Sequence, residues 1–290
     1  MSDARPTGVI HDIGYRHYAG RRLGRGAAFA ALMTHNLRGA YGLRRPFRAK
    51  LVPFLLAAVM LMPAAVSITV MAMFQERALP YSAYAAFLQV IPAIFLAAQA
   101  PYLAALDLRH RILPLYLSRP ILVTDYVGAK LAAMTLALYA LIAVPLTVLF
   151  IGELVVDLPG PADTRGYLAA MVSGLILSVF LAAAGLLIAS VTPRRGLGVA
   201  AVASLYLLTS AVSLVLFGVL TATSRDDEAR WALLINPFFL VDAVQTWLFG
   251  TEPSNGTGYP AGPLPAVLVV ALTALAIGGL VARYRSVASR

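Results

Sequence analysis

The sequence predicts an all-α membrane protein: six transmembrane helices, an N-terminal amphipathic interfacial helix and outer re-entrant half-helices before the last span. Three observations lead there. Six uncharged stretches, at 51–75, 78–106, 131–152, 166–193, 196–224 and 253–282, take up most of the 290 residues. Each holds the roughly 20 apolar residues that a helix needs to cross hydrocarbon, and none shows the polar face of a soluble core helix. The composition is 60% hydrophobic and only 12% charged, and the charges between the runs alternate in sign.

That alternation sets an expected topology. With the N-terminus placed inside, the inner segments 1–50, 106–130, 193–197 and the tail from Arg283 carry 19 of the 23 Lys and Arg residues. Arg77, Arg165, Arg225 and Arg230 fall outside, together with nine of the 13 acids, among them Glu153, Asp163 and Asp226. This is the positive-inside pattern, so both termini are expected in the cytoplasm and the chain in the cell membrane. The net charge of +10 then reads as topology and contact with anionic lipid headgroups, not as nucleic-acid binding. The first apolar run begins near residue 51, so a cleaved signal peptide is not expected.

Residues 1–25, rich in Gly, Arg and aromatics, read as a cytoplasmic arm. Over 26–50, Phe29, Leu32, Met33, Leu37, Ala40 and Tyr41 share one helical face, with Thr34, His35 and Arg38 pointing away. Arg44, Arg45, Arg48 and Lys50 follow. This predicts an amphipathic helix on the inner leaflet; a soluble helix packed on a partner is the other reading of the same pattern. The membrane domain then occupies 51–282, with spans at about 51–74, 84–105, 126–151, 166–192, 198–220 and 264–282, and a tail over 283–290. Pro53, Pro63, Pro92, Pro101 and Pro145 lie inside spans and are expected to kink them. Before the last span, the apolar segment 231–250 is interrupted at Asn236–Pro237 and carries Asp242 and Gln245. Two half-helices dipping into the outer leaflet fit better than a seventh span, which would carry the basic tail outside.

Several chemistries are absent from the sequence. It has no cysteine, so no disulfide, thiolate metal site or cysteine nucleophile. It has no zincin motif, no Gly-x-Ser-x-Gly elbow and no phosphate-binding loop, so neither an enzyme nor ATP hydrolysis by this chain is expected. The uncharged runs also predict spans without buried charge, which argues against a proton relay, an ion-coupled carrier or a lipid-modifying enzyme.

The most informative polar segment joins the second and third spans, over 107–130. Asp107 could cap a short helix bearing Arg109, His110 and Arg111, with Leu113, Leu115, Tyr116 and Leu117 as its apolar surface. Ser118, Arg119 and Pro120 would end it, and Thr124 or Asp125 would cap the third span. Such an element could seat in another protein's cleft and carry motion into two helices; a solvated loop is the alternative.

The run LPLYLSRP at 113–120, followed by DYVGAK at 125–130, resembles the cytoplasmic connection of type-2 ATP-binding-cassette exporter permeases. Those carry a leucine-Ser-Arg-Pro turn and a Tyr-x-x-Gly-Lys entry to the third helix; here Ala129 separates Gly128 from Lys130. The six-span layout matches from residue 26 onward. The resemblance implies a permease subunit that pairs with a second copy of itself or a related permease, and rests on separate ATPase subunits holding ATP and Mg, with no cofactor of its own. Asp107, Arg109, Arg111, Leu113, Leu115, Tyr116, Leu117 and Arg119 would form the coupling element. Arg194 and Arg195 are weaker candidates that could equally serve topology. The substrate pathway would run between the second and fifth spans, along Phe95, Gln99, Tyr102, Tyr206 and Thr209, unless these only pack the core or face lipid. A pathway without fixed charge suits an amphipathic or lipid-like substrate. A membrane scaffold that anchors a cytoplasmic partner without transporting anything would share the docking element.

Overall fold

The apolar runs become helices whose limits shift by a few residues from the uncharged stretches, and the helix over the third run, 131–152, overruns it at both ends, from Val123 to Val156. A computed structural model describes residue 20 and residues 24–288, except 44, 78, 110–115, 117–120, 157 and 193. The arm expected over 1–25 lies almost wholly outside the described residues. Among the described residues ten α-helices follow in order: α1 (Arg25–Ala40), α2 (Phe47–Phe74), α3 (Tyr84–Phe87, entered through a 3-10 turn at Tyr81–Ala83), α4 (Val90–Arg109), α5 (Val123–Val156), α6 (Thr164–Val191), α7 (Arg195–Ala222), α8 (Asp226–Leu233), α9 (Pro237–Phe249) and α10 (Leu264–Ala288). No strand occurs among the described residues. Among the described residues five helices are long and apolar enough to cross a membrane, and up to seven spans result if each of two bent helix pairs counts as one. The chain is a multi-pass membrane protein.

The amphipathic helix is shorter than the pattern predicts. It stops at Ala40 because Gly42 takes the left-handed conformation (φ 67°). The Leu43 N–H then reaches the Arg38 carbonyl at 2.8 Å and the Gly42 N–H the Gly39 carbonyl at 3.0 Å. This pair of bonds satisfies the last carbonyls of the helix, and a β-carbon at Gly42 would lie 2.4 Å from the Ala49 carbonyl oxygen. Residues 47–50 belong to α2. The apolar face of α1 packs along α5: Arg25 pairs with Asp125, Phe29 lies against Gly128, and the Tyr41 hydroxyl donates to the Ala137 carbonyl at 2.8 Å. Burial pushes the Tyr41 phenol up to about 12, so it stays a donor.

Pro53, Pro63, Pro101 and Pro145 sit inside unbroken helices. The second span, by contrast, bends by 55° between Phe87 and Val90. Pro92 explains the place. It has no N–H for the carbonyl four residues back, and its ring crowds that carbonyl, which belongs to Leu88. The Ile91 N–H takes the Leu88 carbonyl instead, at 2.9 Å. The expected break at Asn236–Pro237 is sharper: α8 and α9 meet at 109°. The Asn236 side chain caps α9 by accepting from the Phe238 N–H at 2.9 Å.

At the centre α5 and α6 pack on each other. α1 and α2 cover one side of α5, while α4, α9 and α10 lie on α6, and α7 leans on α4 and α8. More than half of the apolar windows of α5 and α6 are buried, against 11% for α7. Small residues permit the close approaches: a β-carbon at Gly185 of α6 would stand 2.6 Å from the Leu96 side chain of α4. The contacts gather the basic segments at one end of the bundle. There Arg45 lies 4.1 Å over the Tyr102 ring, Lys130 meets Asp107, and the Arg283 guanidinium reaches toward the Ser190 carbonyl. Arg77, Glu153, Asp163 and Arg165 mark the opposite end, where acids prevail.

Candidate functional site

At the basic end, the 110–122 connection leaves from the last turn of α4 and re-enters at the first turn of α5. Both roots are tied into one polar cluster. Lys130 is only 2% exposed; its ammonium donates to Asp107 Oδ2 and to the Leu103 carbonyl. The Tyr126 hydroxyl donates to the same Asp107 oxygen, and its ring lies 5.0 Å from the ammonium. The Tyr126 ring lies 5.3 Å from the Tyr116 ring and 5.8 Å from the Tyr284 ring. The Tyr284 hydroxyl donates to the Ala104 carbonyl at 3.2 Å, which adds α10 to the cluster. A buried ammonium is tolerated in such a place only when paired and hydrogen-bonded, and Lys130 has both.

Two expectations change here. Asp107 does not cap a following helix; it lies inside α4, and Lys130 and Tyr126 occupy its carboxylate. The protein interior also holds charge: α5 outruns its uncharged stretch at both ends, and α9 carries an acid of its own. Lys130 and Glu153, both within α5, are each 2% exposed, and Asp242 of α9 is 4% exposed. Asp125 behaves nearer to expectation: it sits in the first turn of α5 and its carboxylate accepts from the Leu122 N–H at 3.1 Å. Of the expected coupling residues, Asp107 and Tyr116 both adjoin Tyr126, one at its hydroxyl and the other at its ring. Arg109 ends α4, its side chain outside the description, and Arg111, Leu113, Leu115, Leu117 and Arg119 lie outside the described residues. Arg194 and Arg195 are exposed at the α6–α7 turn. Sequence reasoning missed Lys130, Tyr126 and Tyr284 as members of this cluster. A signal existed for the first: Lys130 is a lone cation between Ala129 and Leu131, and the next charge is Glu153.

The second feature is an apolar cleft of about 530 Å³ between α7 and α10. Leu96 of α4 and Phe180 of α6 form part of its floor, and Leu234, Pro237 and Phe238 close it at the break between α8 and α9. Its volume is in the range of ligand pockets, about 300–1,000 Å³. Leu205 and Leu275 line it and are exposed, so it reaches the surface of the bundle. Two expected pathway residues are here. Tyr206 packs edge-on against Phe238, with ring centroids 5.7 Å apart, and Thr209 returns its hydroxyl to the Leu205 carbonyl. The other three lie elsewhere. Phe95 is fully buried, its ring 5.6 Å from Tyr41; Gln99 is buried within α4; and Tyr102 lies under Arg45. Among the described residues no charged side chain lines the cleft.

The closed end of the cleft is where the two bent helix pairs meet. Asn236, at the α8–α9 break, donates to Gln89 Oε1 at 2.9 Å, at the break before α4, and to the Ser210 hydroxyl of α7 at 3.3 Å. Among the described residues no group of three His, Asp or Glu side chains could hold a metal ion. No protein-family profile matches the chain, and a search of curated proteins found no match.

Proposed function

We propose that this chain is the membrane-spanning permease subunit of an ATP-driven exporter, paired with a second copy or a related permease. The basic end faces the cytoplasm and carries both termini, in keeping with the charge distribution. The connection that leaves α4 after Asp107, over 110–122, docks on a separate ATP-binding-cassette ATPase, which holds ATP and Mg. One observation carries the reading: both roots of that connection share a single buried ion pair, Lys130 with Asp107. A push on the connection is therefore delivered to α4 and α5 together, and through Tyr284 to α10. This is the mechanical requirement of a coupling element that drives alternating access. The apolar cleft along Tyr206 and Thr209 supports an amphipathic or lipid-like substrate, since it has no charge with which to compensate an ionic one.

The test begins with gentle purification from the native membrane. An ATPase subunit is expected in equal amount, with its turnover responsive to the permease. Tyr116→Ala with Arg119→Ala should uncouple that turnover from transport while leaving membrane insertion intact. Unchanged turnover and transport in the double variant would remove the coupling role. A chain that retains a cytoplasmic partner without nucleotide turnover would be a scaffold.

A further inference from the structure

Beside the apolar cleft, with Phe238 as a shared wall, lies a second, much smaller cavity, of about 20 Å³, between α9, α6 and the 3-10 turn. Its walls include Tyr81, Leu146, Ser173, Phe238, Asp242 and Gln245. Ser173, Asp242 and Gln245 are 5%, 4% and 3% exposed. Each contributes one polar atom without a hydrogen-bond partner within the protein: Ser173 Oγ, Asp242 Oδ1 and Gln245 Nε2. Three orphaned polar atoms around one cavity form a built site, because leaving each unsatisfied would cost the desolvation of that group.

Donor and acceptor chemistry selects the guest. Asp242 Oδ2 is already occupied by the Ser254 N–H at 2.9 Å and by the Ser254 and Tyr259 hydroxyls, each at 2.5 Å. Burial, and then the carboxylate beside it, push the Tyr259 phenol up, so it remains a donor to that oxygen. Toward the cavity the site presents a carboxylate oxygen that only accepts, an amide N–H that only donates, and a hydroxyl that does either. An anion is repelled by Asp242, and a cation faces the N–H of Gln245. The guest must donate and accept at once, and the space is that of about one water molecule, roughly 10–15 Å³ being the minimum.

We propose that Ser173, Asp242 and Gln245 form a binding site for a single water molecule that latches α9 to α6. The water donates to Asp242 Oδ1, accepts from Gln245 Nε2 and completes its third bond with Ser173. α9 thereby has two occupied faces, since Phe238 and Leu240 wall the apolar cleft while Asp242 and Gln245 hold the water. The latch fixes the element that closes the cleft.

A double-mutant cycle tests this directly, on the full chain in nanodiscs. Neither Ser173 Oγ nor Gln245 Nε2 has a direct partner, so Ser173→Ala and Gln245→Met interact chiefly through the shared guest. The Tm loss of the double variant is expected to differ from the summed single losses by about 2–4 °C, in sodium, potassium or choline buffer alike. Additive losses overturn the proposal. Coupling that appears only with one metal cation also overturns it, since Gln245 would then present its oxygen to an ion. Should the double variant not fold, an experimental map of the unaltered protein decides. A single density peak within hydrogen-bond distance of all three atoms supports the water, and a collapsed cavity with Gln245 bonded to Asp242 rejects it.

Discussion

The two ends of α5 solve the same problem with opposite charges. At the basic end the buried member is the cation: the Lys130 side chain is 3% exposed and its Asp107 partner 19%. At the acidic end the buried member is the anion: the Glu153 side chain is 1% exposed and its Arg77 partner 41%. Each carboxylate also accepts a tyrosine hydroxyl, from Tyr126 and Tyr81 respectively. The difference is in the reserves. Glu153 accepts in addition from the Asp163 N–H at 3.1 Å, and Arg77 spreads to the Pro161 carbonyl at 2.7 Å. Among the described residues, Lys130 has one charged partner, Asp107, with the Leu103 carbonyl and the Tyr126 ring to replace water. A buried ammonium has fewer ways to be compensated than a carboxylate that can collect N–H and O–H donors. The basic end therefore depends on one residue, and the acidic end is distributed.

That comparison can be broken in order of effect. Asp107→Ala leaves Lys130 as an uncompensated buried charge and should cost about 3–5 kcal/mol in thermal or denaturant unfolding. Adding Lys130→Met should restore most of the loss, because a flexible apolar side chain of similar length needs no partner. If the double variant is as unstable as Asp107→Ala alone, the cluster is held by its tyrosines and not by the ion pair. Arg77→Ala should cost less, about 1–2 kcal/mol, since Glu153 keeps two donors and the site lies near water. A loss at Arg77 equal to that at Asp107 would erase the asymmetry. Smallest of all is Arg25→Ala. Its bond to Asp125 is 2.5 Å long, yet the Arg25 side chain is 56% exposed, and no resolvable shift in Tm is expected.

The same contrast marks what was legible in the chain. The acid at 153 and the arginine at 77 both border apolar runs, so a place at a helix end was readable, although their pairing across 76 positions was not. Lys130 was read as the entry to a span, and its burial depends on α4 arriving beside it with Asp107. The bend of the second span was foreshadowed by Pro92, but four other prolines of equal standing left their helices unbroken. Proline removes a hydrogen bond wherever it occurs, and the packing around it decides whether the helix yields. Asn236–Pro237 was readable as a break because a capping side chain precedes a proline at the first helical position. The cleft divided the expected pathway residues because sequence placed them on helices without saying which face of α4 meets α7.

By itself the sequence determined the apolar helices, their approximate limits, the break before the last span and the segregation of charge to the two ends. These follow from length, hydropathy and cap chemistry, which act within a few turns of chain. Only the tertiary structure decided which charges are buried, that Lys130 closes the 110–122 connection onto Asp107, and that α9 divides an apolar cleft from a polar cavity. Those outcomes depend on helix rotation and on partners 23 to 180 positions apart, information that no local pattern carries.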